Sequence, residues 1–153
     1  MRETHYVVGG YVVHGEKVLL LWHPLLERWV PSGGRVEVSL GEYPHEAVIR
    51  EVEEETSLCV VLVSPQGIDD VADAAVKPQP RPFAVQEILV SGASTYLDFV
   101  YFCRSSQDKV SLDYTESRAY HWFSLLDLDT YPLLPHVRLY SRYAISELGR
   151  SAP

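Results

Sequence analysis

Basic residues are in short supply: 13 Lys and Arg stand against 21 Asp and Glu, a net charge of −8 at neutral pH. Broad, sequence-independent nucleic-acid binding is thereby disfavoured, because that affinity comes from basic groups displacing counterions along a phosphate backbone. A small anionic ligand is still admissible if a metal ion carries the positive charge. Cysteine is nearly absent. Cys59 and Cys103 are too few for a disulfide scaffold, and each lies in an apolar run where a buried thiol is expected. Long apolar runs are missing as well: no uncharged stretch approaches the roughly 20 residues that span a bilayer. Met1 to His5 has no apolar stretch of signal-peptide type. These gaps point to a soluble chain of the reducing cytoplasm with no membrane partner.

The 153 residues are 46% hydrophobic and 22% charged, which is ordinary globular usage. A chain of this length buries roughly two thirds of its unfolded surface around one core. With no internal repeat and no second composition regime, residues 1–153 read as one domain. A homodimer stays open.

Tyr6 to Val13 and Lys17 to Trp22 are apolar, β-favouring runs separated by His14-Gly15-Glu16, the pattern of a β-hairpin. A short strand is expected at Trp29-Val30, then a tight glycine path through Pro31-Ser32-Gly33-Gly34. Pro44 suits a first helical position, and His45 to Thr56 contains no glycine or proline, so a helix of about three turns follows. Cys59 to Val63 reads as a strand. Ser64 to Pro82 reads as a long loop with room for a helical turn near Val71 to Val76. Phe83 to Val90, Tyr96 to Cys103 and Tyr120 to Phe123 are further strands, and Leu133 to Leu148 is an amphipathic helix that stops at Gly149. Together these predict an α/β chain with a mixed sheet packed between helices.

The helix from Pro44 carries the chemistry. At about 100° per residue, Glu51, Glu54 and Glu55 fall within one arc of roughly 100°, with Val48, Ile49 and Val52 on the adjoining arc as the anchor to the sheet. A solvated acidic face is the bland alternative. Against it, like charges at these spacings cost a few tenths of a kcal/mol per pair, and acidic residues near a helix C-terminus meet the negative end of the macrodipole. A hard divalent cation would compensate both, because Mg²⁺ prefers oxygen ligands.

Residues Gly33 to Leu58, GGRVEVSLGEYPHEAVIREVEEETSL, resemble the Nudix box, G-x5-E-x7-R-E-U-x-E-E-x-G-U with U aliphatic. From Glu42 the spacing matches: seven residues, then Arg50-Glu51-Val52-Glu53-Glu54-Glu55. Two departures stand out: seven residues rather than five separate Gly34 from Glu42, and Ser57 replaces the closing glycine. The runs PRPFAVQEILV, YLDFVYFCR and ESRAYHWFSLLDL are also similar to later strands of many family members.

The resemblance implies a Nudix-like α/β/α sandwich and metal-dependent hydrolysis of a diphosphate bond in a nucleoside diphosphate linked to another moiety. It implies Mg²⁺, with Mn²⁺ as an alternative. By the same resemblance, Glu51, Glu54 and Glu55 bind metal or activate water, Arg50 orients a glutamate, the Gly33 carbonyl is a metal ligand, and Glu42 supports the site from its loop. One more group must take the proton of the attacking water. Glu54 is the first candidate and Glu116, from a loop outside the helix, the second.

The six histidines lack zinc-site spacing and none is assigned to metal. Trp22, Trp29, Phe83, Tyr96 and Trp122 could stack on a base but equally fill a core. Asp98 interrupts an apolar run, so it must face a cleft or find a partner. The loop Ser64 to Pro82 either covers the substrate or merely connects strands. The competing function is a non-catalytic, nucleotide-sensing domain, against which the full set of box glutamates counts. An isoprenoid diphosphate isomerase is disfavoured because no cysteine precedes Cys59.

Overall fold

The computed structural model describes residues 2–67, 72–90 and 92–149. Its frame is set by two 12-residue strands, β1 (Glu3–His14) and β7 (Ser94–Ser105), which run parallel from Glu3↔Ser94 to Val13↔Arg104. Both are apolar almost continuously over their second halves, the composition of strands covered on both faces. Val8 and Val12 of β1 point one way, Tyr11 and Val13 the other, and each pair enters a separate core.

The predicted hairpin forms. β1 turns at Gly15, whose φ of 59° lies in the left-handed region that glycine adopts without cost, and β2 (Lys17–His23) returns antiparallel. Then follow β3 (Arg28–Val30), β4 (Ser32–Arg35), α1 (Pro44–Thr56), β5 (Val60–Val63), β6 (Ala84–Leu89), β8 (Ala119–Phe123), α2 (Leu125–Thr130) and α3 (Pro135–Leu148). The sheet runs β3-β2-β1-β7-β5, with β4 on β1, β6 on β7 and β8 on β2. Among the described pairings only β1·β7 is parallel, so the sheet is mixed, as expected.

Helix α1 covers one face through Ala47, Val48 and Val52, each fully buried, and helices α2 and α3 cover the other through Leu128, Val137 and Ile145. This is the predicted α/β/α sandwich. Ile49, expected among the anchors, is instead 36% exposed, and Ala47 takes its place. No described helix is long and apolar enough to cross a membrane.

Four further expectations are corrected. The stretch expected to be a tight glycine path is β4, paired with β1 from Val7↔Arg35 to Gly10↔Ser32. Its glycines answer close packing rather than a turn, since a Cβ on Gly33 would strike the Val8 carbonyl oxygen. No helical turn forms in 72–76: the Asp73 carboxylate accepts the N–H groups of Ala75 and Val76, a local bond that competes with helix. Val71 lies outside the described residues. Helix α2 was not expected, because six residues are too few to show a period; its signal is the reciprocal cap between Ser124 and Asp127. Cys59 is exposed, just ahead of edge strand β5, while Cys103 is buried as expected.

The ends of α1 allow a stability prediction. Glu46 accepts the N–H of Tyr43, but the Tyr43 side chain caps nothing in return, and Ser57 holds a left-handed conformation with φ of 60°. Tyr43→Ser supplies the missing acceptor and Ser57→Gly relieves the left-handed penalty, so each should stabilise by about 1 kcal/mol. Thermal melts should rise by roughly 2–4 °C for each variant; a fall in both would place the helix ends elsewhere.

Candidate active site

The last two turns of α1 bring Glu51 and Glu55 against β4. Glu55 is 7% exposed, and its Oε1 accepts from Ser32 Oγ at 3.0 Å and from the Gly33 N–H at 2.9 Å. Burial pushes its carboxyl up to about 7 despite these two bonds, and burial also raises Glu51, against the pull of Arg50. Gly34 leaves the room that Glu51 needs, since a Cβ there would run into the Glu51 carboxylate.

Glu116 arrives from a distant part of the chain for a local reason. The last carbonyls of a helix lack intrahelical partners, and here the Thr56 and Glu55 carbonyls accept from the N–H groups of Ser111 and Asp113. That docks the 111–113 segment on the helix end. A turn follows in which Asp113 accepts from Thr115, Glu116 and Ser117. The turn delivers Glu116 so that one carboxylate oxygen from each of Glu51, Glu55 and Glu116 lies within 4.8 Å of the other two.

Arg50 ties the loop, β4 and the helix together. It grips Glu42 with Nε (2.6 Å) and Nη2 (3.1 Å), donates through Nη1 to Glu51 (3.0 Å) and Glu54 (3.2 Å), and through Nη2 to the Arg35 carbonyl. The bond to Arg50 holds the Glu42 carboxyl below its ordinary range. The longer loop before Glu42 takes up its length in a 3₁₀ turn, Val38–Leu40, closed by Gly41 at φ of 78°, and Glu42 then accepts the Glu37 N–H. Glu54 does not join the trio. Its side chain is 58% exposed and paired with Arg50.

Beside the carboxylates opens a cleft of about 1150 Å³, lined by Gly33, Glu55 and Glu116 on one side and by Tyr11, Gln86, Asp98 and His136 on the other. None of the five aromatic residues singled out in the sequence lines it. Trp29 packs edge-on against Trp22 and Phe123, Phe83 stacks on Phe102, Trp122 donates to the Asp108 carbonyl, and Tyr96 accepts from Arg35. Strand aromatics here fill cores or the surface. No described residue of Ser64 to Pro82 lines the cleft; residues 68–71 of that loop lie outside the described residues. Tyr11 and Gln86 carried no sequence signal, since their place depends on which strands pair.

The sequence matches the family model described as NUDIX domain over residues 3–144. Among solved structures, a NUDIX-family hydrolase from Clostridium perfringens superposes with a TM-score of 0.82 at 28% identity, over 94% of this chain and 97% of that one. The MutT protein from Methanosarcina mazei Go1 follows at 0.68 and 21%, covering 95% and 96% of the two chains. A MutT NUDIX hydrolase from Burkholderia pseudomallei gives 0.64 and 20%, covering 95% and 98%. A search of curated protein sequences gives no match. With the family model spanning all but the two ends of the chain and the fold agreeing along its length, the chain belongs to the NUDIX family and is a Nudix pyrophosphohydrolase.

Proposed function

We propose that this enzyme hydrolyses the diphosphate bond of a nucleoside diphosphate linked to another moiety, using Mg²⁺, or Mn²⁺ in its place, held by Glu51, Glu55 and Glu116. The observation that carries this reading is the gathering of three carboxylates within 4.8 Å, two of them largely removed from water. Such a group repels itself and is costly to charge when buried. Its donors are all hard oxygens, the set that suits Mg²⁺ and leaves positions for substrate phosphates. A bound Mg²⁺ supplies the positive charge that neutralises phosphate oxygens and favours attack by water.

The chain's own groups do the rest. Ser32 and the Gly33 N–H orient Glu55, Arg50 orients Glu51, and Glu42 fixes Arg50. Glu54, on the same helix face but outside the trio, takes the proton from the attacking water. The Gly33 carbonyl is a further ligand by family resemblance.

The test is a phosphate-release screen with Mg²⁺ over nucleoside di- and triphosphates, nucleotide sugars and dinucleotide polyphosphates, with mass analysis of products to locate the broken bond. Release from none of them, with metal supplied, would sink the reading. Gly34→Ala tests the geometry. The added methyl displaces the end of the Glu51 side chain rather than backbone, so the melting temperature should hold while kcat falls by about 10²-fold, the cost of a misplacement near 1 Å. An unchanged kcat would show that Glu51 need not sit there.

A further inference from the structure

The cleft has a second polar group, on the sheet face that carries α3. Asp98 lies on the same face of β7 as Val100 and Phe102, which are core residues, yet it is a carboxylate only 8% exposed. Gln86, on the neighbouring strand β6 and in register with it, donates from Nε2 to Asp98 Oδ2 at 2.8 Å. The Tyr140 hydroxyl on α3 donates to Gln86 Oε1 at 3.2 Å, which orients the amide with its NH₂ toward Asp98. Oδ1 of Asp98 has no donor among the described residues. It rests beside Gly9, where even a Cβ would stay 3.7 Å away, so the cleft wall is bare backbone at that point.

Gln86 thus holds one oxygen of this carboxylate, while the other faces the cleft, where a ligand can take the place of water. Burial raises the Asp98 carboxyl above its ordinary range, and the hydrogen bond from Gln86 only partly offsets this. Something outside the chain is suited to supply the missing N–H. The position says what. β7, β1 and β4 are successive strands, so Asp98 and the β4 backbone at the trio are two strand spacings apart, roughly 10 Å. That is about the reach of a nucleoside from its phosphates to the far edge of its base. Leu26, Pro31 and Leu134 line the same cleft and offer apolar surface for the faces of a flat ring.

Building on the diphosphate reading, we propose that Asp98, held by Gln86, determines base specificity by accepting an N–H from an amino-bearing base. Bases that turn carbonyl oxygens toward it are disfavoured, because a carboxylate has no proton to offer them. Cytosine and uracil form a pair equal in size: cytosine presents an exocyclic amino group where uracil presents a carbonyl, and the one ring N–H that uracil has on that edge is flanked by two carbonyl oxygens that a carboxylate repels.

Cytidine and uridine, which carry no charge to be repelled by the acidic trio, are titrated by NMR into the metal-free protein. Cytidine should bind at least about tenfold tighter than uridine. Asp98→Asn, which is isosteric and presents an N–H as well as an oxygen, should reduce that ratio to near one. Tyr140→Phe, which frees Gln86 to turn, should reduce it severalfold without touching Asp98. A ratio near one in the unaltered protein, no binding of either nucleoside, or a ratio unmoved by both variants would each overturn the proposal. Because no turnover is needed, a clear cytidine preference in a protein that releases no phosphate from any screened compound would sink the hydrolysis reading alone. Phosphate release with no base preference would sink only the role of Asp98.

Discussion

Glu51→Gln and Glu55→Gln should each lose at least about a hundredfold in turnover while keeping the fold, and chelation with EDTA should abolish the activity of the unaltered enzyme. Glutamine keeps the shape and removes the charge. At position 55 its amide oxygen can still accept from Ser32 and the Gly33 N–H, so the local hydrogen bonds survive. The stability of the metal-free protein separates lost chemistry from lost folding. Burial raises Glu55 from 4.5 to about 7, so the folded state holds that proton more tightly than the unfolded state does. The favourable contribution is complete below about pH 4.5 and is lost as pH rises through 7. In EDTA, the unaltered protein should therefore melt lower at pH 8 than at pH 5 on account of this group, and Glu55→Gln should melt at or above it at pH 8. A variant that is inactive because it is unfolded would reverse that order. Full activity of either variant in EDTA would end the metal hypothesis.

The second large effect separates Glu54 from Glu116. Glu54 stands outside the trio, paired with Arg50, whereas Glu116 shares the carboxylate cluster with Glu51 and Glu55. Glu54→Gln should lower kcat by about 10²–10⁴-fold at every Mg²⁺ concentration, the usual contribution of acid–base catalysis, and should remove the acidic limb of the kcat profile. Glu116→Gln should act through metal affinity, so that raising Mg²⁺ restores much of kcat. The reverse result, with near-normal kcat in Glu54→Gln at saturating Mg²⁺ and an unrescued collapse in Glu116→Gln, would assign the proton transfer to Glu116.

Composition, periodicity and turn chemistry decided a large share of this protein. Apart from β4, strands of length four or more announced themselves by apolar, β-favouring runs, and α1 by its Pro44 start and uninterrupted helix formers. Spacing alone placed Glu51, Glu54 and Glu55 on one helix face, because a helix converts sequence separation directly into angle. Ser57, standing where the pattern closes on glycine, marked the helix end for a similar reason: the end of a helix is a local event, and Ser57 there is left-handed.

What tertiary structure decided are the relations that no local period encodes. Ser32 to Arg35 looked like a turn and became a strand because β1 offered an edge to pair with. The sequence ranked Glu54 ahead of Glu116 as the group that takes the proton, and only the docking of the 111–113 segment onto the open carbonyls of α1 put Glu116 beside Glu51 and Glu55 and left Glu54 beside Arg50. Asp98 was anomalous in its strand from the start, but its partner Gln86 follows from the β6·β7 register, and its place in the cleft from the parallel pairing of β7 with β1. A shift of one residue in either pairing would turn these side chains to opposite faces. The chemistry was legible wherever one helix could hold it, and became a site only where segments far apart in the chain were bound by backbone groups that each left unsatisfied.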